Sequence, residues 1–159
     1  MKYIGEVAFA QCKNLTAIHV DPGNPYYKSI DGVLFNKDGT ELIWCPKQVS
    51  GTYTVPRSVE RIKSGAFGCS GPIKIVIEKT NVALEEKSIG YNCVMYMGRD
   101  YEVGPICYER VESYIVCPDN SNALQYAKDN LIEYEIQEYK PLIGDIDENG
   151  VVTSDDAVY

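Results

Sequence analysis

Two stretches of this chain repeat one another, and that constrains its fold more than any other feature. IGEVAFAQCKNLTAIHV (residues 4–20) and IKSGAFGCSGPIKIVI (residues 62–77) align once one residue is dropped. Ala8-Phe9 matches Ala66-Phe67, Cys12 matches Cys69, and Ile18 and Val20 match Ile75 and Ile77. Apolar residues at every second position mark a short, half-buried strand. The small Ala beside a bulky Phe suits a tight turn beneath it. One such unit cannot bury its own apolar face, but stacked units can, so the repeat predicts a solenoid. A weaker copy lies at KSIGYNCVMYMG, where Ile89 and Cys93 precede Val94, Tyr96 and Gly98.

Between the two clear copies lies a longer insert. GVLFN and ELIWCP flank KDGT, and Asp38-Gly39 is a short-hairpin signal. TYTVP supplies a further strand, stopped by Pro56. Toward the end, YIVCPDNSNALQYAKDNLIEYEI reads as strand, helix, strand. Asn120 or Ser121 would cap that helix, and Ala123, Leu124, Ala127 and Leu131 recur at helical spacing. A helix there would close the exposed edge of a stack.

The pattern I-x-x-x-AF-x-x-C-x-x-L-x-x-I-x-V resembles the bacterial surface leucine-rich repeats of the BspA-like type. The insert SIDGVLFNKDGTELIWCP is similar to a hairpin variant that interrupts those arrays, and SNALQYAKDN to the helix that closes them. The stretch from Asn81 to Val111 departs from the pattern. The resemblance implies a mainly β fold with short helices: a leucine-rich-repeat-type solenoid over residues 1–136, with a hairpin insert and a C-terminal capping helix. It also implies a noncatalytic module whose repeat face binds a protein or a glycan.

Charge is unevenly placed. The 159 residues carry a net charge of −8. Up to Ile132 acids and bases nearly balance, whereas from Glu133 onward eight acids face only Lys140. This balance argues against nucleic acid as a partner. No apolar run is long enough to span a membrane, and residues 1–12 hold no signal-type segment. Secretion would therefore rest on a signal outside this chain.

The acidic tail GDIDENGVVTSDDAVY explains itself when counted from Asp145. Asp145, Asp147, Asn149, Val151, Thr153 and Asp156 then fall at positions 1, 3, 5, 7, 9 and 12 of an EF-hand-like loop, with Gly150 at the sharp turn. Calcium is a hard cation that wants six to eight oxygens, and alternate positions let one loop wrap round it. Val151 can offer only its carbonyl, and Thr153 acts through a water. The tail resembles the first calcium segment of a dockerin, the module that binds a cohesin on a scaffoldin or cell surface. That resemblance implies that Ser154 and Asp155 face the cohesin. It divides the chain into the solenoid (1–136), a linker (137–143) and a truncated dockerin (144–159), in which Ala157-Val158-Tyr159 begins a helix. A lone loop without its paired segment is expected to bind calcium weakly and, by itself, no cohesin tightly.

Nothing in the sequence assembles a catalytic set. His19 is the only histidine, and adjacent Glu85-Glu86 cannot flank a scissile bond from two sides. An accessory region of a dockerin-bearing, polysaccharide-degrading hydrolase, its catalytic domain outside this chain, is the alternative. Trp44, Tyr26, Tyr27 and Tyr53 are either packing residues or a sugar platform. The six cysteines lack close CxxC pairs; their even count would allow three disulfides, but the repeat puts several on core positions and favours buried free thiols.

Overall fold

A computed structural model describes residues 2–5, 8–10, 12, 14–46, 51–68, 73–97 and 103–137 and, within 93–97 and 103–107, their backbone. The chain opens as a three-stranded meander. β1 (Tyr27–Ile30) turns at Asp31-Gly32, both with positive φ, into β2 (Val33–Asn36), which turns at Gly39 into β3 (Glu41–Trp44). Asp38-Gly39 was legible as a hairpin signal, and Asp31-Gly32 is the same signal one strand earlier.

From β3 onward the chain winds as a solenoid of about three turns. One wall is β3, β5 (Arg61–Ile62) and β7 (Ala83–Leu84), in parallel, with Leu42, Ile62 and Leu84 in line. The other is β4 (Gly51–Thr54), β6 (Ile73–Val76), β10 (Ser113–Cys117) and β11 (Glu133–Ile136), also parallel. Each rung advances the chain by about 20 to 22 residues, a leucine-rich-repeat period. Between β6 and β10 the advance is about double. The surplus is a separate antiparallel hairpin, β8 (Tyr91–Met97) and β9 (Val103–Arg110).

The repeated Ala-Phe turn does what its composition requires. Ala66 and Phe67 are buried, and the Ala66 N–H donates to the Lys63 carbonyl at 3.1 Å. The same turn bond recurs from Ala8 to Gly5 at 3.0 Å and from Ser88 to Glu85 at 3.2 Å. Cys45 N–H donates to the Ala66 carbonyl at 2.7 Å and Phe67 N–H to the Ser88 carbonyl at 3.2 Å, so Trp44-Cys45, Ala66-Phe67 and Ser88-Ile89 stack as one column. The weak third copy is thus real, with Ile89 in the place of Phe67. Val94 and Tyr96 lie in the antiparallel hairpin, however, and β10 supplies that rung's strand.

The first copy also differs from expectation. Ile18 and Val20 form no strand. They bond to Gly32 O (2.8 Å) and Ser29 Oγ (3.0 Å), and with Phe9 they cover a small cluster around Leu34 and Trp44. By the alignment with Ile75 they would have extended the β4–β6 sheet, yet β4 remains the edge of that sheet among the described residues.

One helix, α1 (Asn122–Asp129), appears among the described residues where short helices were expected. Ser121 is its cap, its hydroxyl accepting from Leu124 N–H at 3.1 Å. Ala123, Leu124, Tyr126 and Ala127 are buried. Leu131, expected on that face, lies beyond the helix and is 80% exposed. Of the cysteines expected in the core, Cys45 and Cys117 are buried thiols outside any disulfide, whereas the Cys12 thiol is exposed. No helix among the described residues is long and apolar enough to cross a membrane.

Candidate functional site

The β8–β9 hairpin leaves the stack at Gly90 and returns at Val111, whose N–H donates to the Gly90 carbonyl at 3.0 Å. Its root is pinned to the end of α1 through Asn130. Tyr91 Oη donates to Asn130 Oδ1 at 3.2 Å, and Asn130 Nδ2 donates to the Tyr126 carbonyl at 2.9 Å. The Arg110 guanidinium donates to the Asn130 carbonyl and lies over the Tyr91 ring, 5.8 Å from its centroid. A cation at a helix C-terminus is favoured by the unpaired carbonyls gathered there.

Beneath this root, at the starts of β6, β10 and β11, lies a cleft of about 710 Å³. Lys74, Tyr114 and Glu133 line it from the sheet, and Arg110, Glu112 and Leu131 from the hairpin root and helix end. Its cations are engaged. Lys74 Nζ is 3.3 Å from Glu135 Oε2 and 5.4 Å from the Tyr114 ring centre, and Arg110 holds Asn130. Glu112 and Glu133 form no ion pair among the described residues. With Glu135 counted beside the lining, three carboxylates (Glu112, Glu133, Glu135) face two cations (Lys74, Arg110), a small excess of negative charge.

The candidate residues named from sequence fare differently. The calcium ligands Asp145, Asp147, Asn149, Val151, Thr153 and Asp156, and the cohesin-facing Ser154 and Asp155, lie outside the described residues, as do Cys69 and the linker beyond Gln137. His19 is exposed. Glu85 and Glu86 serve separate bonds: Glu85 Oε1 meets Lys63 Nζ at 2.8 Å and Arg61 at 3.5 Å, while Glu86 meets Lys87 at 2.9 Å. Glu85 thus joins two rungs rather than lying in a solvated turn. The aromatics make no platform, because Trp44 is buried in the N-terminal cluster whereas Tyr53 packs edge-on against Phe67, 6.0 Å away, in the main core. The cleft residues were not singled out from sequence. Their one signal was the departure from the repeat between Asn81 and Val111, where the hairpin is inserted.

Comparison with solved structures adds a decisive likeness. A leucine-rich repeat protein from Eubacterium ventriosum matches 76% of this chain with a TM-score of 0.50 at 21% identity. The fold is of the leucine-rich-repeat type. This chain spans 27% of that protein's length. The pneumococcal vaccine antigen PcpA also matches, over 77% of this chain and 50% of its own, at 16% identity and a TM-score of 0.34, too slight a likeness to argue from. No protein-family model matches the sequence, and no curated protein matches it.

Proposed function

We propose that this chain is a noncatalytic binding module, displayed outside the cell, that offers the hairpin and its cleft to a protein or glycan. One observation carries the reading: an insertion between two rungs raises a two-stranded arm above a cleft, on a stack whose walls are laced by ion pairs. Glu41, Arg61, Lys63 and Glu85 pair along one wall, and Lys74 with Glu135 along the other. Rungs that satisfy their own charges make a stiff frame, and interruptions of such a frame are where binding residues collect.

The acidic tail is the tether in this reading. Its support is the donor set Asp145, Asp147, Asn149, Val151, Thr153 and Asp156 at calcium-loop spacing. Bound calcium would supply the charge that gathers those oxygens and orders the loop, leaving Ser154 and Asp155 to face a cohesin.

Two measurements test these parts separately. Arrays of glycans and of surface proteins, probed with the full chain and with Asn130→Ala, should show ligands that the variant loses as the hairpin comes unpinned. A chain that captures nothing on either array is not a binding module. For the tether, the parent protein should bind a panel of cohesins in calcium and release them in chelator. Indifference to chelator removes it.

A further inference from the structure

We propose that the outer edge of β11, together with the hairpin-root cleft, receives an extended basic polypeptide segment as a fifth strand of the β11–β10–β6–β4 sheet. This rests on the binding-module reading and names its partner class.

Three observations converge on it. Among the described residues β11 pairs only with β10, and all four of its residues are exposed. Edge strands are ordinarily blunted by shortness, charge, Pro or a bulge; β11 has neither Pro nor a bulge, and its two carboxylates repel an acidic strand while admitting a basic one. Among the described residues the edge is open to pairing.

The pleat supplies the second. Tyr134 stands in register with Ile115, Ile75 and Tyr53, and Ile136 with Cys117. In the rungs behind, Ile75, Ile115 and Cys117 are fully buried, yet Tyr134 and Ile136 remain 40% and 50% exposed. Two core columns reach the end of the stack unfinished. Apolar side chains at alternate positions of an added strand would complete them.

The third is charge. Glu133 and Glu135 stand at alternate positions of β11, and Glu112 lines the cleft beside Glu133; against these three carboxylates are Lys74, paired with Glu135, and Arg110, held on the Asn130 carbonyl. A strand seated on β11 would bring its intervening side chains past these carboxylates, which selects Lys or Arg. An added aromatic–sugar stack is disfavoured, because Lys74 already occupies a face of the Tyr114 ring.

The test uses the full chain and fluorescein-labelled peptides of about eight residues, read by anisotropy at low salt. An alternating Lys-Val peptide should bind saturably. An alternating Glu-Val peptide, and the Lys-Val peptide methylated at every backbone nitrogen, should bind at least tenfold more weakly. Glu112→Gln combined with Glu133→Gln should weaken the Lys-Val peptide about tenfold, and Ile136→Ser should weaken it as well. These residues are exposed, so the variants should keep the wild-type circular dichroism. Equal binding of the acidic or methylated peptide, or indifference to the double glutamine variant, overturns the proposal. If no peptide binds while the arrays still yield a ligand, the strand-addition proposal fails and the binding module stands.

Discussion

The hydroxyl of Tyr126 takes, at Ile89, the place that a backbone carbonyl holds in the rungs before it. Ile89 N–H donates to Tyr126 Oη at 3.1 Å, and that hydroxyl donates to the Ile89 carbonyl at 2.9 Å. In the preceding rungs the matching N–H groups of Cys45 and Phe67 reach the carbonyls of Ala66 and Ser88. A stacked column must end somewhere, and its last buried N–H and C=O need partners. The capping helix supplies both with one side-chain atom.

Tyr126→Phe keeps the ring and removes that atom. It leaves a buried donor and acceptor unpaired at Ile89, which costs about 1–3 kcal/mol. Urea unfolding should show a lower midpoint at unchanged slope. An unchanged midpoint would mean that the hydroxyl does not terminate the ladder.

Burial raises the pKa of Tyr126 above its ordinary 10.0, and it raises that of Tyr53 too, with Cys45 and Asp31 adding to it. A folded pKa above the unfolded one means stability that is intact below the unfolded value and lost as pH climbs toward the folded value. Stability should therefore fall from about pH 10 upward. Tyr53→Phe should flatten that fall in thermal melts. A wild-type-like alkaline slope in the variant would place the loss elsewhere.

The parts of this fold legible in the sequence are those whose signal is local. Asp38-Gly39 announced the β2–β3 turn, Ser121 the helix start, and Ala66-Phe67 the buried turn. What escaped depended on partners distant in sequence. Trp44-Cys45 stacks on Ala66-Phe67 although the side chains share nothing, because a backbone ladder does not require matching residues. The first copy matched in letters but lost its strand, and Ile18 and Val20 bond instead to Gly32 and Ser29 of the meander. The cleft escaped for a similar reason: it exists only because α1 folds back and Asn130 meets Tyr91 and Arg110.

Leu131 is strained where it stands. Its N–H bonds to the Lys128 carbonyl and that of Ile132 to the Ala127 carbonyl, the paired bonds that close a helix on a left-handed residue. Leu131 has φ of 52° and is 80% exposed, so it contributes little packing to offset the strain. Leu131→Gly should raise stability by about 1 kcal/mol, read as a higher Tm. A lower Tm would show that the side chain is buried against something it holds.

Glu85 ties the second and third rungs through Lys63, Arg61 and the Ser64 N–H at 3.0 Å. Partial burial pushes its carboxyl pKa up, but the Lys63 and Ser64 hydrogen bonds and the Arg61 guanidinium outweigh that and hold it below the ordinary 4.5. A depressed folded pKa means stability that is present above the unfolded value and lost as pH falls through the folded one. Glu85→Gln should therefore destabilise the chain at neutral pH, by about 1 kcal/mol or less for a pair this exposed. It should also make denaturation below about pH 4.5 shallower. Identical acid profiles for the two proteins would refute the tie.

Gly90 is the hinge on which the hairpin leaves the stack, and two constraints meet there. Its φ is 84°, and an added Cβ would lie 2.8 Å from Ile132 Cδ1. Gly90→Ala should therefore destabilise the chain by about 1–3 kcal/mol, with faster amide exchange across Tyr91–Arg110. Ile132→Val removes the δ carbon and the 2.8 Å approach, but leaves a γ carbon at 3.2 Å and the backbone strain. The double variant should then lose less than the two single changes combined, a coupling that a thermodynamic cycle measures directly. Strict additivity would show that the added methyl and Ile132 never meet, and that the hinge is set by backbone conformation alone.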